Sequence, residues 1–159
     1  MIKLILTGRP ITKKNSQIPI KTKSGAFFII QSKQYRDYEK ECLWQIKEQL
    51  TILSLQQRVP KPVLFPIMGA VSCKCLYYMP TEFRPDLLNL LQATADIISK
   101  KDKAKQCVGV IENDKDIVSF DGSRIMGKDK ENPRVEIFIE EMKDEKEKSI
   151  FYFEKGEIT

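Results

Sequence analysis

A chain of 159 residues with 42% apolar side chains is long enough for one domain with a real core. It holds no histidine, which excludes Ser-His-Asp and Cys-His hydrolases and histidine-based nucleases, so acid, base or metal chemistry must rest on carboxylates, lysines or tyrosines. The net charge is a modest +5, but the first 36 residues carry eight Lys or Arg and no acid, whereas Lys101 onward carries twelve basic and fifteen acidic residues; that division suits a polyanion that also needs a divalent cation, unless the lysines serve only solubility.

MIKLILT alternates as a strand, with Ile2, Leu4 and Leu6 on one face. GRPITKKNSQIPI reads as a loop, on Gly8, Pro10 and its polar run. KTKSGAFFII predicts a hairpin turning near Ser24-Gly25, then an apolar strand. Ser32 is the expected N-cap of a helix over SKQYRDYEKECLWQIKEQL, whose Tyr35, Tyr38, Cys42, Ile46 and Leu50 recur at helical spacing. VPKPVLFP is a connection, and AVSCKCLYYMP a strand with Val71, Cys73, Cys75 and Tyr77 on one face. RPDLLNLLQATADII follows as a helix, and KKDKAKQ as a lysine-rich connection. A short strand through Asp116–Phe120, a DGSR turn and the strand PRVEIFIEEM close the pattern, with Val135, Ile137 and Ile139 facing away from Arg134, Glu136 and Glu140. This order predicts a mixed α/β (α+β) fold, a single domain of helices packed on one mixed sheet. The domain is expected over residues 1–142, with 143–159 a charged, then apolar, C-terminal extension.

Other classes drop out. No apolar run reaches the twenty or so residues that cross a bilayer and nothing resembles a secretory signal, so a cytoplasmic protein without membrane association is expected. No GxxxxGK[ST] or GxGxxG occurs, so no nucleotide cofactor is signalled. Cys42, Cys73, Cys75 and Cys107 lack zinc-ligand spacing and read as buried reduced thiols.

The chemistry gathers around two acidic stretches. With Asp86 at zero on a wheel of 100° per residue, Leu87, Leu91, Thr94, Ala95 and Ile98 form the core stripe of the second helix. Asp86, Asn89, Gln92 and Asp96 fall opposite, and Leu88 borders the stripe. Pro85 suits helix entry, and Asp86 lies at the positive end of the dipole, so a purely local capping role accounts for it. A metal-ligating role competes, because Asn89 offers a second oxygen one turn on. In IENDKDIV, moreover, Glu112, Asp114 and Asp116 alternate. If extended, these acids face one side about 6.6 Å apart, a repulsion that Mg2+ or Mn2+ would relieve. A charged turn before an edge strand is the plainer reading.

Taken together, GRPITKKNS, RPDLLNLLQATADII, VIENDKDIV, IVSFDGSR and PRVEI resemble the RusA-type Holliday junction resolvases over most of residues 1–142. The resemblance implies a homodimeric, Mg2+-dependent endonuclease that cuts four-way DNA junctions. It matches Asp86, Asn89 and Asp114 to family site positions, while Leu88 and Gln92 stand where the family has an acid and a lysine. Asp86 and Asp114 are therefore the expected catalytic and metal-ligating residues, with Asn89 and Glu112 as further ligands. Asp116 and Asp121 are other acids that could compensate for Leu88, and Lys13 or Lys14 could replace the lysine. DNA contacts are expected from Lys13, Lys14, Asn15, Lys21, Lys23 and Arg84. The alternative is a junction-binding protein of the same fold with impaired cutting; a dimeric adaptor with incidental acids is a weaker third.

Overall fold

In a computed structural model, residues 1–56, 65–101 and 109–142 are described. They form β1 (Ile2–Thr7), β2 (Gln17–Lys21), β3 (Phe27–Gln31), α1 (Lys33–Gln56), β4 (Val71–Met79), α2 (Leu87–Ile98), β5 (Ile117–Ser119), β6 (Arg124–Lys128) and β7 (Arg134–Glu141), with 3-10 turns at Lys14–Ser16 and Asp114–Asp116. Most of the VPKPVLFP and KKDKAKQ connections, Cys107 and the extension 143–159 lie outside the described residues.

One shared alternation builds the core. β1 and β7 are antiparallel, as are β7 and β4, and their apolar residues line up in rows across the sheet. The rows are Ile2–Ile139–Cys73, Leu4–Ile137–Cys75 and Leu6–Val135–Tyr77, and all nine side chains are buried. Cys42, Leu43, Ile46 and Leu50 of α1 and Leu90, Leu91, Ile97 and Ile98 of α2 complete the same cluster. Each such aliphatic chain contributes about 1.5–3 kcal/mol of burial. β5 and β6 lie one after the other, parallel to β4 on its other side, so the sheet is mixed and both helices cover one face. Among the described residues no helix is long and apolar enough to cross a membrane. Cys42, Cys73 and Cys75 are buried free thiols, and burial pushes Cys42 up to about 12.

Two strands depart from the sequence reading. QIPI is strand β2, not loop, because Pro19 sits in a hairpin that stands apart from the main sheet, where its missing N–H costs little. β6 was hidden by Gly127 and by the exposed Arg124 and Lys128, which dilute its alternation. Between β5 and β6, the Ser123 Oγ accepts from the Cys75 N–H at 2.9 Å and fills the gap in the ladder.

The free edge of β1 is closed by side chains. Gln45 Oε1 accepts from Thr7 N–H at 2.8 Å and its Nε2 donates to Thr7 O at 3.1 Å. Gln49 does the same at Ile5, at 2.9 and 2.7 Å. α1 itself starts as expected, with Ser32 Oγ accepting from Tyr35 N–H at 3.1 Å.

The uncovered face of the sheet carries ion pairs. Arg134 donates to Asp129 at 2.8 Å and to Glu136 at 2.9 Å, stacks 3.6 Å from the Tyr78 ring centre, and Lys3 reaches Glu136 at 3.1 Å. Partial desolvation opposes the Glu136 charge, but hydrogen bonds from Lys3 and Arg134 outweigh it and hold the carboxyl below its ordinary range. A lowered folded value means the contribution is complete above the unfolded pKa of about 4.3 and is lost as pH falls through the folded value. Glu136→Gln is therefore expected to flatten the stability profile on the acid side. Urea midpoints between about pH 3 and 5 check this, and parallel profiles for the two proteins would contradict it.

Candidate active site

The acid-free loop after β1 is held by bonds within itself and to distant segments. Gly8 N–H donates to Pro133 O at 2.9 Å, Ser16 N–H to Lys13 O at 3.1 Å and Ser16 Oγ to Thr12 O at 2.8 Å. Pro10 and Thr12 are buried. Lys13 Nζ crosses to Asp96 Oδ2 on α2 at 2.6 Å, pinning the loop to the helix. Beneath this pair, Tyr35 is buried with its hydroxyl unpartnered among the described residues. Burial first, then the carboxylates of Glu39 and Asp96, raise its pKa well above the usual phenol value, so it stays protonated.

The loop forms one wall of a cleft of about 230 Å³. Arg9, Asn15 and Ser16 face Met79, Phe83 and Pro85, the segment that delivers the chain to Asp86. Asp86 is the N-cap of α2, its Oδ1 accepting from Leu88 N–H at 2.9 Å, so the local capping role is present. No hydrogen bond engages its other carboxylate oxygen among the described residues.

Leu88 does not border the core: it is 73% exposed. The buried face of α2 is wider than one stripe and includes Leu90, Ala93 and Ile97, because the helix packs on α1 as well as on the sheet. That displaces Leu88 to the solvent side, beside Asp86 and the half-buried Asn89. The side chain of Tyr77 ties α2 to β4 through Thr94, oxygen to oxygen at 2.7 Å.

The second acidic stretch is not extended. Asn113 Oδ1 accepts from Lys115 N–H at 3.2 Å and Asn113 O from Asp116 N–H at 3.1 Å, closing a 3-10 turn over Asp114–Asp116. The expected alternation of Glu112, Asp114 and Asp116 is thereby broken: an Asn placed to cap its own chain wins over a strand. Upstream, Gly109 holds φ +79, and a Cβ there would lie 3.2 Å from Ile111 O. The reversal brings Val110 and Ile111 N–H to Ile98 O at 2.7 and 3.3 Å, capping the C-terminus of α2. The turn bearing Asp114 packs against α2. Asp114 is exposed and makes no side-chain hydrogen bond or ion pair among the described residues, whereas Glu112 is ion-paired to Lys101.

Among the described residues no three His, Cys, Asp or Glu side chains gather closely enough to hold an ion. The oxygen donors singled out in the sequence lie on two adjoining elements but not at one point of them: Asp86 and Asn89 stand at the start of α2, and Asp114 on the turn that follows the reversal at its C-terminal end. Donors of that kind suit a hard divalent cation, with two carboxylates instead of three. Lys14, Asn15, Lys21, Lys23 and Arg84 are all exposed, and among the described residues Lys14, Lys23 and Arg84 carry no ion pair. Asp121 is exposed in the turn between β5 and β6. Sequence reasoning missed the Lys13–Asp96 pair and the cleft; no local spacing signals either. No protein-family model matches the chain, and no curated protein matches it.

Proposed function

We propose that this chain is a Mg2+-dependent, structure-selective endodeoxyribonuclease of the RusA type, acting as a homodimer on four-way DNA junctions. The observation that supports it most is the cleft itself. Arg9, Thr12, Asn15 and Ser16 of GRPITKKNS and Pro85 of RPDLLNLL, far apart in sequence, line one cavity, and these are two of the segments that carry the resemblance. A basic loop against the start of an acid-bearing helix is what phosphodiester hydrolysis needs: cations for the phosphate, carboxylates for the reacting end.

Asp86 and Asp114, with Asn89, would hold the ion, which when bound polarises the scissile phosphate and lowers the pKa of its water. The protein's own cations do the positioning. Lys14, Lys21, Lys23 and Arg84 engage flanking phosphates, with Asn15 as a neutral donor. Lys13 keeps the loop in place through Asp96. Two active sites related by a two-fold axis would cut paired strands of a junction evenly.

A second reading, a junction-binding protein with impaired cutting, is favoured by one observation: the third carboxylate is missing, with Leu88 in solvent and Glu112 held by Lys101. One experiment separates them, incubation of a synthetic four-way junction with Mg2+ or Mn2+. Leu88→Asp is expected to change stability by no more than about 0.5 kcal/mol, because the side chain is exposed. It should also lower the Mg2+ concentration for half-maximal cleavage. Cleavage by this variant but not by wild type would select the binding-protein reading. If wild type neither binds nor cuts the junction, both readings fall.

A further inference from the structure

The β2–β3 hairpin is apolar on both faces, and all of its strand residues but Ile30 and Gln31 at its root are exposed. Ile18 pairs with Ile30 and Ile20 with Phe28, so these four share one face, while Phe27 and Ile29 occupy the other with Pro19 and Lys21. Phe27 is 72% exposed, Phe28 56% and Ile29 69%. An isolated two-stranded hairpin is marginal in water, yet this one is well made. Thr22 and Ala26 exchange backbone and side-chain bonds across the tip, and Ser32 N–H donates to Ser16 O at the root. The root is the same Asn15–Ser16 segment that lines the cleft.

We infer that this hairpin is a two-sided stacking ribbon that takes unstacked bases at a DNA branch point. The inference rests on the nucleic-acid reading above and names the part of the DNA the arm meets. Two properties select that occupant. Adjacent Phe27 and Phe28 present aromatic rings on opposite faces, so bases on either side of the ribbon can stack; every base has a π-face to offer. Lys14, Lys21 and Lys23 lie on or beside the arm without a single acid between Met1 and Arg36, which complements phosphates. Lys21 already sits 5.5 Å from the centre of the Phe27 ring, joining the cationic and stacking surfaces. A second copy of the chain is the rival occupant, but packing arm on arm brings together lysines that have no acidic partner among the described residues.

The test uses the full chain in EDTA, so that binding is read without cleavage. Junctions carrying 2-aminopurine at the branch point are titrated with wild type and with the pair Phe27→Leu, Phe28→Leu, which keeps apolar bulk but removes the rings. Wild type is expected to change the 2-aminopurine fluorescence on binding. The Leu pair should lose that signal and bind roughly tenfold or more weakly, by the usual worth of base stacking. Its salt dependence should not change, since the lysines remain. Wild-type affinity and signal in the Leu pair would overturn the inference while leaving the nuclease reading intact. Loss of binding accompanied by a shift to smaller species in sedimentation would make the arm a self-interface and overturn it too. Absence of any DNA binding by wild type would remove the reading on which it rests.

Discussion

Asp86→Asn and Asp114→Asn are each expected to slow junction cleavage at least about a hundredfold while leaving junction affinity within about twofold. The substitution is chosen so that the fold cannot be blamed. Asn caps a helix about as well as Asp, so the 2.9 Å bond to Leu88 N–H survives in the Asp86 variant. Asp114 is exposed with no side-chain bond among the described residues, and its replacement should leave stability nearly unchanged. What each variant loses is a negative oxygen near the phosphate, which hurts the chemistry and slightly helps attraction to DNA. Single-turnover cleavage against Mg2+, beside an anisotropy titration in EDTA, separates the two. Undiminished cutting in both variants would remove these residues from the site.

Replacing Lys14, Lys21 and Lys23 together by Ala should reduce the slope of log affinity against log salt by up to about 2.7, taking roughly 0.9 per neutralised phosphate on duplex arms. Binding should weaken for junction and plain duplex alike, because phosphates carry no sequence. Lys13→Ala belongs to a different class. Its ammonium is spent on Asp96 at 2.6 Å, so its loss leaves a partly buried carboxylate unpaired and loosens the loop, and the salt slope should hardly move. A triple variant with the wild-type slope would place the phosphate path elsewhere.

The architecture was legible where one periodicity served one purpose. β1, β4 and β7 each bury a single face, and their alternation showed it residue by residue. The Ser32 cap and the spacing from Tyr35 to Leu50 gave α1. Legibility failed where side chains answered to two neighbours or to none. α2 packs on both sheet and α1, so its buried face outgrew one stripe and Leu88 fell outside it. β2 is exposed along its length, so no polar/apolar alternation marked it, whereas the turn near Ser24-Gly25 and the apolar run of β3 were readable. In the candidate site, Asp86 as a cap was readable from helix grammar, but Asn113 turned its own chain before Asp114 and broke an alternation that existed only on paper. The pairing of Lys13 with Asp96 spans 83 residues, and no local pattern encodes a partner that distant.

The glutamines of α1 carry a consequence for how this molecule can join others. At Ile5 and Thr7 two side-chain amides stand where the peptide groups of a sixth strand would be. Each offers one donor and one acceptor, so these two edge positions are satisfied without the sheet being extended. A peptide could zip onto β1 between Ile5 and Thr7 only by displacing both glutamines, and the same holds for a second copy adding its own strand there. Strand addition meets less competition on the opposite flank, where β5 and β6 are short and interrupted, or at the hairpin. The molecule thus has one margin guarded by side-chain amides from its own helix and one that is not, which biases any backbone-mediated grip toward the unguarded side.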